Sequence, residues 1–108
     1  MNVHKKLVRD RILEIISSDG VGYNSRILED EEFKIELLKK LVEESNEVLG
    51  AINSKDDLQK ELADVWEVIE YIIKTFELDH NEVMKLKTER HEKRGGFDKK
   101  IYLESTEE

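Results

Sequence analysis

The clearest helical pattern in the sequence lies in residues 54–76, which read SKDDLQKELADVWEVIEYIIKTF. Ser54 is a typical N-cap residue, and acids follow it in the first turn. Apolar side chains then recur every three or four residues, which places them on one face of a helix: Leu58, Leu62, Val65, Ile69, Ile72, Ile73 and Phe76. This stretch therefore predicts an amphipathic helix that buries one face.

Three further helices are predicted from the same spacing. They run from Val8 to Ser17, from Asp30 or Glu31 for about six turns, and from the capping sequence at Asp79 to Gly95 and Gly96. The chain contains no proline and only five glycines, so few positions interrupt helices. We therefore predict an all-α fold, a four-helix core bundle in a single domain that covers residues 1–108.

Two short stretches do not follow the helical spacing. Apolar and polar residues alternate from Tyr23 to Leu28 and from Lys100 to Glu104, which is the pattern of an extended strand. We expect short extended segments there, and the two could pair as a small ribbon.

The composition indicates a thin hydrophobic core. The chain has 108 residues, of which 38% are hydrophobic and 41% are charged. A typical soluble domain has about 45–50% apolar and about 25% charged residues. Since a small chain leaves much of its surface exposed, self-association is a way to bury the remainder. We expect a homo-oligomer.

The charge and the residue types exclude several classes of protein. A net charge of −8 would repel a nucleic acid backbone. There is no cysteine, the N-terminal residues lack the apolar run of a signal peptide, and no stretch approaches the ~18 apolar residues of a membrane span. We expect a cytoplasmic protein with neither a nucleic acid nor a membrane as its partner.

Four acids lie within apolar flanks and have the spacing of a metal site. Glu44 and Glu47 are about 60° apart on one predicted helix, and so are Glu61 and Asp64 on the next. If the two helices are antiparallel neighbours, both pairs lie at a similar distance from the turn. Four facing carboxylates normally imply a cation, and oxygen ligands favour Mg²⁺, with Mn²⁺ as the alternative.

Two other interpretations of these acids remain open. In a chain with 26 acids, such spacings also arise among solvated surface residues. A di-iron carboxylate site would need two Glu-x-x-His motifs, whereas this chain has one, from Glu77 to His80, across a predicted helix boundary. We therefore expect no histidine ligand.

The basic residues concentrate near both ends of the chain. Residues 85–100 hold seven Lys or Arg and three acids, whereas residues 29–47 hold eight acids and three lysines. A basic rim around an acidic centre suits a metal–polyphosphate ligand. The basic residues at 93 and 94 would equally complement the dipole at the end of a helix.

Four short motifs resemble a known family. They are EESNE at residues 43–47, ELAD at 61–64, KLVRDRI at 6–12 and KRGGF at 93–97. Together they resemble the MazG-like all-α nucleoside triphosphate pyrophosphohydrolase superfamily, in particular a short single-domain branch related to phosphoribosyl-ATP pyrophosphohydrolase. One departure is Leu13, where relatives in this branch often have proline.

The resemblance implies an activity and roles for individual residues. Members form dimers or tetramers and hydrolyse a nucleoside triphosphate between the α and β phosphates, often to remove non-standard nucleotides. The implied Mg²⁺ ligands are Glu44, Glu47, Glu61 and Asp64, with Glu43 as a further catalytic acid that orients water. The implied phosphate-binding residues are Lys6, Arg9, Lys93 and Arg94.

Two alternatives to this function remain. The chain could be a catalytically idle helical module that serves oligomerisation or nucleotide binding. It could also act on phosphoribosyl-ATP, with the same chemistry at the site. No motif in the chain indicates which base is recognised.

Overall fold

A computed structural model describes residues 2–107 of the chain. It contains four helices, which are α1 (Ile12–Ser18), α2 (Asp30–Gly50), α3 (Lys55–Thr75) and α4 (His80–Arg94). No strand occurs among the described residues, so the all-α prediction is confirmed. The chain divides into two compact units, Met1–Glu77 with the first three helices and Leu78–Glu108 with the fourth.

The first unit is built on a hairpin of α2 and α3. The two helices contact each other and are joined by a short turn, so they are antiparallel neighbours. Ser54 caps α3 as predicted, because its Oγ accepts a hydrogen bond of 3.2 Å from the Asp57 N–H. Among the described residues, only Leu37, Ala51 and Val68 are buried hydrophobic residues. The core is therefore as thin as the composition predicts.

The helix α1 begins later than predicted. Its spacing suggested a start at Val8, but the first helical residue is Ile12, whose N–H donates to the Arg9 carbonyl at 3.1 Å in a turn. Arg9 lies before the helix, and its side chain reaches α3. The local spacing of residues 8–11 favoured a helix, but their backbone is irregular, and it is in this segment that Arg9 makes its tertiary contact.

Neither predicted extended segment forms a strand. From Tyr23 to Leu28 and from Lys100 to Glu104, the backbone has no ladder hydrogen bonds in the described structure. Lys100 has φ +58°, which breaks an extended path, and its N–H closes a turn to the Phe97 carbonyl. The predicted ribbon is therefore wrong.

The ends of α4 agree with the prediction. Asp79 caps the start, because its Oδ1 accepts from the Asn81 N–H at 2.8 Å and from the Glu82 N–H at 3.3 Å. Gly95 ends the helix with φ +81°, a conformation that favours glycine, and its N–H donates to the His91 carbonyl. None of the four helices of residues 2–107 has the length and apolar character needed to cross a membrane.

Candidate metal and nucleotide site

The hairpin brings acids of α2 and α3 together. Glu44, Glu61 and Asp64 each offer a carboxylate oxygen, and these oxygens lie within 4.8 Å of one another. Because α2 and α3 are antiparallel across a short turn, residues at similar distances from that turn face each other. We call these three residues the carboxylate cluster. All three are half-buried.

The fourth predicted metal ligand, Glu47, lies at the edge of the cluster. Its side chain is exposed and is not among the three whose oxygens meet. Its negative charge nevertheless acts on Glu61, whose pKa it helps to raise. The structure therefore brings three of the four predicted ligands together and leaves the fourth beside them. Their role as ligands stays a prediction.

Glu43 faces cations instead of the cluster. Its carboxylate accepts from Lys40 Nζ at 3.1 Å and from Lys6 Nζ at 3.4 Å. Partial burial opposes ionisation of this group, but the hydrogen bonds and charges of Lys40 and Lys6 outweigh it and lower the pKa of Glu43. Glu43 is therefore held as a carboxylate beside the cluster.

Lys40 is a site residue that the sequence analysis missed. Its Nζ lies 3.1 Å from Glu43 and 3.5 Å from Glu44, and its side chain is only 15% exposed. The spacing contains a signal for it, since a lysine three and four residues before two acids lies on the same face of a helix. Because Lys34 and Lys39 of α2 also lie three residues from an acid, the burial of Lys40 was needed to distinguish it.

The predicted basic residues near the N-terminus reach these acids. Lys6 contacts Glu43, and Arg9 Nη2 donates to Asp64 Oδ1 at 2.8 Å. Both cations are in the irregular segment that precedes α1. Lys93 and Arg94 lie in the other unit, where they are exposed in the last turn of α4.

Glu61 has no cation partner among residues 2–107, although it lies within the cluster. Partial burial raises its pKa, and the charges of nearby acids raise it further, first that of Asp64 and then those of Glu47, Glu44 and Asp57. By contrast, Asp64 has Arg9 and Glu44 has Lys40. Unneutralised charge in the cluster is therefore concentrated at Glu61.

Replacing Glu61 by Gln is expected to raise the melting temperature of the metal-free protein at neutral pH. Because folding raises the pKa of Glu61, ionising it costs stability. This cost is absent below about pH 4.3, the ordinary glutamate pKa, and is complete above the folded pKa. The melting temperatures of E61Q and wild type are measured in the presence of chelator from pH 4 to pH 8. The difference between them should be absent at pH 4 and should grow as the pH rises. The variant E70Q removes a charge on the opposite face of α3; an equal gain there would contradict the role of the cluster.

The donor set fits a hard divalent cation. All three groups of the cluster are carboxylates, which are the ligands preferred by Mg²⁺ and Mn²⁺. Carboxylates from two helices at this separation repel each other, and a shared cation removes the repulsion. Arg9 and Lys40 pair with Asp64 and Glu44, so the charge that a bound cation would still have to neutralise is that of Glu61.

Comparison with protein families shows the family to which the chain belongs. The model of the MazG nucleotide pyrophosphohydrolase domain matches residues 33–95, which is more than half of the chain. The matched range includes both acidic motifs and all of α3 and α4, whereas Lys6 and Arg9 lie outside it. Searches of curated proteins and of solved structures found no match. The chain therefore belongs to the family of MazG nucleotide pyrophosphohydrolase domains.

Proposed function

We propose that this protein hydrolyses a nucleoside triphosphate between its α and β phosphates and depends on Mg²⁺, which Mn²⁺ can replace. Water is consumed, and the products are a nucleoside monophosphate and pyrophosphate. The observation that supports this proposal most directly is the carboxylate cluster of Glu44, Glu61 and Asp64 within a family of nucleotide pyrophosphohydrolases.

The cluster would hold the metal, with Glu47 as the fourth carboxylate at its edge. When bound, Mg²⁺ neutralises charge on phosphate oxygens and lowers the pKa of the attacking water. The surrounding residues supply the rest of the site. Glu43 is held ionised by Lys6 and Lys40, so its oxygens can accept a hydrogen bond from water and orient it.

The basic residues would bind the phosphate chain. In this proposal Lys6 and Arg9 of the N-terminal segment donate to phosphate oxygens. Lys93 and Arg94 of α4 are proposed as phosphate-binding residues on the resemblance of their motif alone. They bind and orient the substrate, whereas the carboxylates act on the metal and the water. We further propose that the substrates are non-standard nucleotides of the cytoplasm and that the domain extends over residues 1–108.

An assay with a panel of nucleotides tests the proposal. Purified protein with Mg²⁺ is incubated with standard and modified nucleoside triphosphates and with phosphoribosyl-ATP. The proposal would be supported if monophosphate and pyrophosphate form in equal amounts and if a chelator abolishes their formation. Turnover of phosphoribosyl-ATP alone would assign the related activity, and no turnover of any member would favour the idle helical module. Reaction in ¹⁸O-labelled water identifies the attacked phosphorus from the product that carries the label.

We also propose that the protein is a homo-oligomer, either a dimer or a tetramer. Ile35, Val42 and Leu49 lie seven residues apart on α2 and are 55%, 62% and 73% exposed. Leu38 is also exposed and lies on the same face of α2, three residues after Ile35 and four before Val42. An apolar stripe of this kind suits packing against the same helix of a second copy.

Replacing Leu49 by Lys is expected to weaken this association by at least about 100-fold, because burying a leucine is worth about 2 kcal/mol and a symmetric dimer buries it twice. The measurement is molar mass by light scattering over a concentration series, against 12.7 kDa for one chain. Asn24→Lys adds the same charge in the irregular segment before α2 and serves as the control. An unchanged mass for L49K would exclude the stripe as the interface.

A further inference from the structure

Arg9 makes a long-range contact with an acid of the carboxylate cluster. Its guanidinium donates to Asp64 at 2.8 Å across a sequence separation of 55 residues. The side chains of Arg9 and Asp64 are 57% and 42% exposed. An exposed ion pair contributes little to stability, so this contact can be broken at small cost.

The Asp64 carboxylate has two competing uses. It pairs with Arg9, and it is one of the three groups whose oxygens lie within 4.8 Å. A divalent cation held by the cluster would stand near the Arg9 guanidinium, and the two positive charges would repel each other. Arg9 and the cation therefore compete for Asp64.

We propose that Arg9 is an exchangeable counterion, which holds Asp64 in the metal-free protein and is released by metal binding to donate to a phosphate of the nucleotide. This inference rests on the proposed function for the metal and the phosphate. The released guanidinium offers paired donors that match phosphate oxygens. Through Arg9, bound metal increases the affinity for phosphate, and bound phosphate increases the affinity for metal by the same factor.

A titration with Mn²⁺ alone, monitored by calorimetry or electron paramagnetic resonance, tests whether Arg9 and the cation compete for Asp64. Since an exposed ion pair is worth a factor of about five at most, Arg9→Gln should tighten Mn²⁺ binding about two- to fivefold. Arg9→Lys keeps the charge and should remain near wild type. Lys6→Gln removes an equal charge from the same segment, but Lys6 contacts Glu43, which is outside the cluster; its effect should be smaller.

A second titration tests the release of Arg9 to phosphate. It measures binding of a triphosphate analogue with a non-hydrolysable α–β bridge, with and without Mn²⁺. Wild type should gain more affinity from Mn²⁺ than R9Q does. Equal gains in the two proteins would overturn the coupling, and unchanged or weaker Mn²⁺ binding by R9Q would overturn the competition. An increase in K6Q as large as that in R9Q would also overturn it, because the effect would then be a general one of charge.

The outcomes separate this inference from the proposed function. Tighter Mn²⁺ binding by R9Q in a protein that hydrolyses no nucleotide would support the counterion role and refute the hydrolysis. Normal hydrolysis by wild type with unchanged Mn²⁺ binding by R9Q would refute the counterion role alone. Absence of Mn²⁺ binding in both proteins would refute the counterion role together with the metal site.

Discussion

Replacing Glu61 by Gln should lower kcat/KM for hydrolysis of a nucleoside triphosphate by at least about 100-fold. Mutating the groups that merely support a metal ligand commonly costs 10- to 100-fold, and Glu61 is proposed as a ligand itself. Gln keeps the size of the side chain but removes its charge. Since Glu61 pairs with no cation among residues 2–107, the substitution leaves no orphaned lysine or arginine. Steady-state kinetics with saturating Mg²⁺ measures the effect.

The matched control for this substitution is Glu70→Gln. Glu70 is an exposed acid on α3, nine residues after Glu61 and therefore on the opposite face. Both variants lose one negative charge, but only E61Q alters the cluster, so E70Q should keep the wild-type rate. Full activity in E61Q would exclude Glu61 as a metal ligand. E61Q is expected to be more stable than wild type without metal and to lose turnover. Both results together would show that Glu61 serves function and lowers the stability of the metal-free protein.

The helices could be predicted where their signals are local. Each helix cap depends on hydrogen bonds between residues a few positions apart. Ser54 therefore predicts where α3 begins, and Asp79 and Gly95 predict where α4 begins and ends. The start of α1 could not be predicted in this way. Residues 8–11 have helical spacing, but Arg9 has a partner 55 residues away, and no local pattern reports a contact at that separation.

The candidate site could be predicted in part for the same reason. The spacing of acids along one helix is local, so the pairs on α2 and α3 were evident from the sequence. The register between the helices then determines which oxygens meet, and it places Glu47 beside the cluster. The cations that reach Glu43 and Asp64 from the N-terminal segment depend on tertiary structure. Hence the pairings of Lys6 with Glu43 and of Arg9 with Asp64 emerged only from the fold.

Adding Mn²⁺ to the metal-free protein should raise its free energy of unfolding by about 2.7 kcal/mol when free Mn²⁺ is a hundred times the dissociation constant. The reason is that the cluster exists only when α2 and α3 are folded together, so a cation bound there stabilises the folded state alone. For a chain of about 100 residues, 1 kcal/mol shifts the melting temperature by about 4–8 °C. The expected increase is therefore about 10 °C or more. It is measured by thermal unfolding at one protein concentration, since self-association also changes the melting temperature.

The same unfolding experiment distinguishes a metal held by the cluster from cations that screen an acidic surface. With a net charge of −8, the chain gains some stability from any divalent salt through its exposed acids. That general gain should be equal in E70Q and E61Q, because both variants lose one negative charge. The specific gain should occur in wild type and E70Q, reverse with chelator and be absent from E61Q, since only there is a carboxylate missing from the three whose oxygens meet. An equal increase in all three proteins would mean that Mn²⁺ acts on the surface and that the acids of α2 and α3 do not form a metal site.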